Sequence, residues 1–364
     1  MYAFEPTEEQ KMLIDSVQRF AANDLRAASH EADEHCQLPA NLIKKGWELG
    51  LLQASIPESF GGFGEYSAVT GALAAEELGW GDLAGALAVL NPGLFALPIL
   101  LVGSEAQKKI YLPQILEVDW QPYTAALIEP RFDFDPNELE TTVRETASDY
   151  ILTGEKVFVP YAEQARAMIV YARLGNVTQG FILTNDLEGL KVEDRQQLMG
   201  IKALPVYKLS LRNVHIPKEN RLGGEMGHDL EPILAIARVT MAALGLGLSR
   251  AAFEYARDYA REREAFGVKI AQKQAIAFML AEMATEIEAI RLLIWEAAWM
   301  LDKGKEQASK FAYLAFTGAA DMAMMVTDRA VQILGGHGYI REHPVEMWMR
   351  SGRGIATLTG IAMA

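Results

Sequence analysis

Two different hydrophobic periods divide this chain, and they cannot share one kind of element. In the first third, Leu13, Val17, Phe20, Ala21 and Leu25 recur at helical spacing. Thr7 followed by Gln10 predicts a capping box at the start of that helix. Residues 42–51 and 69–78 predict further helices, with the Gly- and Pro-rich run 56–64 as a loop between them. From about Tyr123 to Leu222 the pattern changes to short β-branched or aromatic runs at 150–153, 156–159, 167–171, 180–183 and 207–211, separated by turn residues. Long helical patterns return after Leu230, over 275–300 and 306–334. This order predicts a mainly α protein with a central β domain: helical to residue 120, β over 121–225, and helical over 226–364.

Charge and composition exclude several function classes. The 364 residues suit two or three packed units. A net charge of −14 repels nucleic acid, and no basic run offsets it, so a polyanionic ligand needs a local basic pocket. The lone Cys36 rules out an internal disulfide and fits a reducing cytoplasm. The N-terminal residues have neither the basic flank nor the apolar centre of a secretory signal. Residues 83–104 are free of charge and long enough to cross a bilayer, but Asn91-Pro92-Gly93 and Pro98 interrupt them. They predict two buried helical pieces joined by a turn, not a membrane span. The six histidines lack metal-ligand spacing, and neither common nucleotide-binding glycine motif occurs.

Five local motifs carry a more specific signal. They are the loop 56–64 after Gly50-Leu51; Gly103-Ser104-Glu105 with Tyr111-Leu112-Pro113; Arg263, Phe266 and Gly267 with Gln274; Leu280-Ala281-Glu282-Met283-Ala284; and Gln332 with Gly335-Gly336-His337-Gly338-Tyr339, then Glu342, Pro344 and Glu346. In this order they resemble the acyl-CoA dehydrogenase flavoproteins over almost the whole chain. The resemblance implies a helical N-terminal domain, a β-barrel-like middle domain and a C-terminal four-helix bundle, assembled as a dimer or tetramer. It implies FAD shared across a subunit interface and oxidation of acyl-CoA thioesters, as in fatty-acid or steroid side-chain β-oxidation. Arg263 matches the arginine that reaches the pyrophosphate, a task suited to a permanently charged fork of donors. Phe266 and Gln274 match positions lining the cofactor, and Arg238 matches an arginine of the substrate region. Gln332, Gly335 and Gly336 match the turn that approaches the adenosine diphosphate. Those glycines also suit a plain helix C-cap.

The pattern fails where the family's chemistry resides. The catalytic glutamate's position aligns with Thr359, and its alternative position, just before Arg238, with Ala237. A hydroxyl is a negligible base near neutral pH. Positions that hydrogen-bond the flavin ring or CoA carry Ile128, Phe134, Pro160 and Leu204, and an acidic CoA contact aligns with Ala235. Two later FAD positions carry Ile361 and Met363. The expectation is a subunit without its own catalytic residue or flavin-ring pocket, which completes the FAD site of a homologous partner subunit. The alternatives are a self-sufficient flavin oxidoreductase with a displaced base, Glu129 or Glu231, and a non-enzymatic homo-oligomer.

Overall fold

The computed structural model describes residues 5–364. The Thr7–Gln10 capping box opens α1 (Glu8–Phe20), with both reciprocal bonds made. One π-helical stretch, Ala21–Leu25, passes the chain into α2 (Arg26–His35). The helix expected over 42–51 is shorter: α3 spans Ala40–Trp47, and Gly50 at φ +71° precedes the single turn α4 (Leu51–Ala54). The loop 56–64 contains one turn of 3-10 helix, Glu58–Phe60. Next come α5 (Ala68–Gly81), α6 (Leu83–Leu90), α7 (Gly93–Val102) and α8 (Glu105–Ile115). Helices α6 and α7 meet at a 46° bend, and almost all of their residues are buried in the core, as the interrupting Asn-Pro-Gly predicts.

The middle of the chain forms one seven-stranded sheet. Its strands are β1 (Tyr123–Ala126), β2 (Thr142–Glu145), β3 (Asp149–Pro160), β4 (Ala167–Leu174), β5 (Val177–Leu183), β6 (Leu190–Arg195) and β7 (Val206–Pro217). The two runs expected at 150–153 and 156–159 are a single strand, β3, which absorbs the intervening Gly154 through register shifts against β7. β1 and β2 pair in parallel with successive parts of β4, while the other pairings are antiparallel.

Three long helices build the C-terminal part: α9 (Glu231–Glu262), α10 (Gln274–Asp302) and α11 (Ala308–Leu334). Between α9 and α10 a small hairpin pairs β8 (Glu264–Ala265) with β9 (Val268–Lys269). Short α12 (Val345–Gly352) follows α11. Helix α9 is long and apolar enough to cross a membrane, but 89% of its apolar window is buried inside the fold. It packs on α5 with backbone against backbone. A Cβ on Gly79 would lie 2.3 Å from the Leu244 carbonyl oxygen, and one on Gly247 would lie 2.0 Å from that of Glu76. Only glycine permits that approach. Around the crossing, Arg250 of α9 bonds Glu76 (2.8 Å) and Glu77 (2.6 Å), so the buried carboxylates of α5 are paired.

Candidate active site and cofactor surface

A small cavity lies where the three parts of the chain meet. Leu94 of α7, Leu127 just after β1, Tyr171 of β4 and Ala237 of α9 line it, together with Gly360 and Met363 of the C-terminal segment. Ala237 and Gly360, the neighbour of Thr359, therefore open on one space. Apart from the Met363 thioether, Tyr171 supplies the only polar side-chain atom of the lining. Its hydroxyl is buried and has no hydrogen-bond partner among the described residues. Burial pushes that phenol well above its ordinary range, so it stays protonated. No carboxylate lines the cavity.

The two candidates for a displaced base sit in different settings. Glu129 is buried beside Lys156, whose ammonium lies 2.8 Å from its Oε1. The same carboxylate accepts the Thr141 N–H (2.8 Å) and the Glu140 N–H (2.7 Å). Burial opposes its ionisation, but Lys156 and these donors outweigh burial and hold its pKa below the usual carboxylate value. Glu129 is thus a structural anion, a correction to its candidacy as a base. Glu231, in the first turn of α9, sits 3.5 Å from Arg238, whose guanidinium also lies 5.2 Å from the centre of the Tyr313 ring.

Three segments expected around a flavin ring converge, and their meeting place is apolar. The Val157 N–H bonds the Ile128 carbonyl, and the Tyr161 N–H bonds that of Pro205, which brings 127–129, 156–161 and 200–206 together. Ile128, Val157, Tyr161, Ile201 and Leu204 share one buried cluster, with Phe134 and Phe158 packed against it. Pro160 is buried as well. The Phe158 N–H, a donor in this region, is taken by the Gln196 side chain at 2.8 Å. Burying the polar edge of a flavin ring here would leave acceptors unpaired, at about 1–3 kcal/mol each.

The second group of expected cofactor residues is exposed. Arg263 ends α9; its N–H donates to Tyr259 O (2.8 Å) and its carbonyl accepts from Ile270 (2.9 Å). No side-chain partner engages its guanidinium among the described residues. Phe266 stands at the tip of the β8–β9 hairpin, 95% exposed, with the Lys273 ammonium 5.7 Å from its ring centre. Gln274 opens α10, and both it and Gln332 are exposed. Gly335 is the C-cap of α11, at φ +59° and ψ −129°. That ψ lies outside the left-handed conformation of an ordinary glycine C-cap, so the helix end does not by itself account for this glycine. A Cβ at either Gly335 or Gly336 would meet nothing within 4 Å, so the turn is also open to a ligand.

Sequence reading passed over the residues that join these parts. The Tyr259 hydroxyl meets His337 Nδ1 at 2.6 Å, connecting the glycine turn to the end of α9 just before Arg263. The signal was available: Tyr259 lies one helical turn before Arg263, and His337 lies inside the glycine motif. Tyr171 gave no signal, because a tyrosine inside a β-branched run reads as core.

FAD is the cofactor of the family this chain resembles, and the residues present fit it unevenly. The open guanidinium and glycine turn suit the pyrophosphate and adenosine, whereas the apolar cluster does not suit the ring.

Comparison with known proteins agrees with the architecture. Models of the N-terminal, middle and C-terminal domains of acyl-CoA dehydrogenase match residues 7–119, 124–214 and 230–361. The chain is 34% identical to cyclohex-1-ene-1-carbonyl-CoA dehydrogenase of Syntrophus aciditrophicus, covering 98% of this chain and 87% of that one. It is 33% identical to the mitochondrial short-chain specific acyl-CoA dehydrogenase of Sus scrofa, covering 96% and 86%. The structure of butyryl-CoA dehydrogenase from Megasphaera elsdenii superposes with a TM-score of 0.88 at 30% identity, covering 100% of this chain and 96% of that one. With all three domains matched in order and the helix–sheet–helix architecture shared, the chain belongs to the acyl-CoA dehydrogenase family.

Proposed function

We propose that this chain is a subunit of a heteromeric acyl-CoA dehydrogenase, lacking a catalytic base of its own and completing the FAD site of a homologous partner subunit. The observation that carries this reading is the cavity shared by Ala237 and Gly360. Ala237, at one family position for the base, and Gly360, next to the other at Thr359, open onto it, and its lining offers no carboxylate. The engagement of Glu129 with Lys156 and two backbone N–H groups weighs against a self-sufficient enzyme. The exposed, unpaired Arg263 and the open Gly335-Gly336 turn weigh against a chain with no cofactor role.

When bound, FAD supplies the hydride acceptor. This chain's part is binding: Arg263 holds the pyrophosphate, Phe266 and Gln274 line it, and Gln332 with Gly335 and Gly336 accepts the adenosine end. Arg238 marks the substrate region. The partner supplies the carboxylate that removes the α proton and the polar pocket around the ring, and the acyl-CoA thioester binds there.

Co-expression with a homologous subunit, followed by measurement of FAD per chain, tests this. The chain alone is expected to be colourless or substoichiometric in FAD, and the complex to carry FAD and reduce a dye with acyl-CoA. In the complex, Arg263→Ala should lower FAD affinity about ten- to a hundred-fold, the cost of a charge-assisted phosphate contact. Stoichiometric FAD and turnover in the chain alone would overturn the reading.

A further inference from the structure

The glycine turn and the Arg263 hairpin come from segments far apart in sequence, and neither fixes the other directly. A Cβ at Gly335 or at Gly336 would meet nothing within 4 Å, so no neighbour crowds either glycine. What anchors the turn is the next residue. His337 takes the Tyr259 hydroxyl on Nδ1 at 2.6 Å, and its ring stacks on His343 with centroids 5.4 Å apart and planes 22° apart. His343 in turn takes the Tyr255 hydroxyl at 2.7 Å, and Tyr255 packs edge-on against the buried Trp348 of α12. Tyr259 also accepts the Arg263 N–H on its carbonyl. One residue therefore holds the guanidinium segment through its backbone and the glycine turn through its side chain.

We propose that Tyr259 and His337 are a positioning pair that sets the spacing between Arg263 and the Gly335-Gly336 turn, so that a nucleoside diphosphate meets a preformed cradle. The inference rests on the assignment of that surface to the adenosine diphosphate half of FAD. A turn of two glycines without Cβ contacts has many conformations, and ordering it on binding would cost affinity. The stacked imidazoles tie it to α9 and α12 before the ligand arrives. Neither side chain is required to touch the ligand; each acts through the geometry of Arg263 and of the turn.

The test uses the purified oligomer, with ADP as the probe in calorimetry and FAD per chain as a second reading. Tyr259→Phe keeps the ring and removes the bond, and should weaken ADP about ten-fold, the value of one hydrogen bond. His337→Phe keeps a stacking ring without the acceptor and should match it. His337→Asn, which returns an oxygen near the Nδ1 position, should recover most of the affinity. Melting temperature and oligomeric state should stay within those of the parent, since a purely structural role would shift these first. Unchanged ADP affinity in both Tyr259→Phe and His337→Phe, with Arg263→Ala weakening it, would overturn the positioning pair alone. No effect of Arg263→Ala, or no ADP binding by the parent oligomer, would overturn the underlying assignment and the pair with it.

Discussion

Two single residues, Thr359 and Lys156, offer direct tests of the site and of the core beside it. On the proposed reading Thr359 takes the place of the family's base, yet Thr359→Glu in the isolated chain should not yield a dehydrogenase. A positioned base is worth roughly 10²–10⁴-fold, but the ring site beside it would still hold Ile128, Phe134 and Pro160. Acyl-CoA-dependent dye reduction is the measurement, and robust turnover would mean that the ring pocket was intact. Lys156 is the opposite case, a charge kept in a dry place. Burial pulls its pKa down to about 8, so it still carries its proton at neutral pH opposite Glu129. Lys156→Met leaves that carboxylate without its counter-ion and should cost about 3–5 kcal/mol in chemical denaturation. With its folded pKa depressed, Glu129 contributes stability that is present above its unfolded pKa of 4.5 and is lost as pH falls through its lower folded value.

At the scale of elements, the bend between α5 and α6 depends on Asp82. It closes α5 and caps α6, with its carboxylate accepting the Gly85 N–H at 2.7 Å. Burial raises its pKa to about 6, from 3.8. The folded state therefore binds the extra proton, and the contribution of this group is full below pH 3.8 and falls away as pH rises through about 6. Asp82→Asn keeps a comparable cap without the charge. It should raise the melting temperature at pH 7 and flatten its pH dependence between 4 and 7, and an equal loss at every pH would show that the carboxylate itself is required. The α5–α9 crossing offers a second handle. Gly247→Ala drives a Cβ into the Glu76 carbonyl oxygen and forces the helices apart, and should cost at least as much as other overpacked core sites, about 1–3 kcal/mol in thermal unfolding.

Across the whole molecule, one buried anion ties the three parts together. Asp33 of α2 lies 2.7 Å from Arg350 of α12, 2.9 Å from Arg341 and 3.3 Å from Lys202 of the segment after β6. Burial resists its charge, but the cations, Arg350 foremost, hold its pKa below the ordinary value. Arg350 also bonds the Met199 carbonyl, and the Ser351 hydroxyl takes the Ile201 N–H, so the 199–201 segment is docked on α12 by the same group of residues. Asp33→Ala removes the shared anion of Arg350, Arg341 and Lys202 and should cost about 3 kcal/mol, the low end for breaking a buried pair, because Arg341 is half exposed and Glu346 still pairs with both arginines. Limited proteolysis should open the 196–205 loop before the helices, and a melting curve unchanged from the parent would rule the hub out.

The sequence alone determined whatever depends on local period and on residue type at aligned positions. The Thr7 capping box, the broken 83–104 stretch, the long C-terminal helices and the absence of a carboxylate at 237 and 359 were all legible, because each is a property of neighbouring residues or of a single identity. Tertiary structure decided what depends on distance between remote segments. Residues 150–153 and 156–159 proved to be one strand because pairing with β7 spans Gly154, and pairing energy overrides a local turn signal. Glu129 lost its candidacy as a base because Lys156 and the 140–141 backbone fold onto it, and a carboxylate's freedom cannot be read from its neighbours in sequence. The convergence of Ala237 and Gly360 on one cavity, and the bond from Tyr259 to His337, are likewise contacts between parts of the chain about 80 to 120 residues apart. Such contacts form only when the burial of many apolar side chains outweighs the entropy of closing long loops, which is a property of the whole fold and not of any segment.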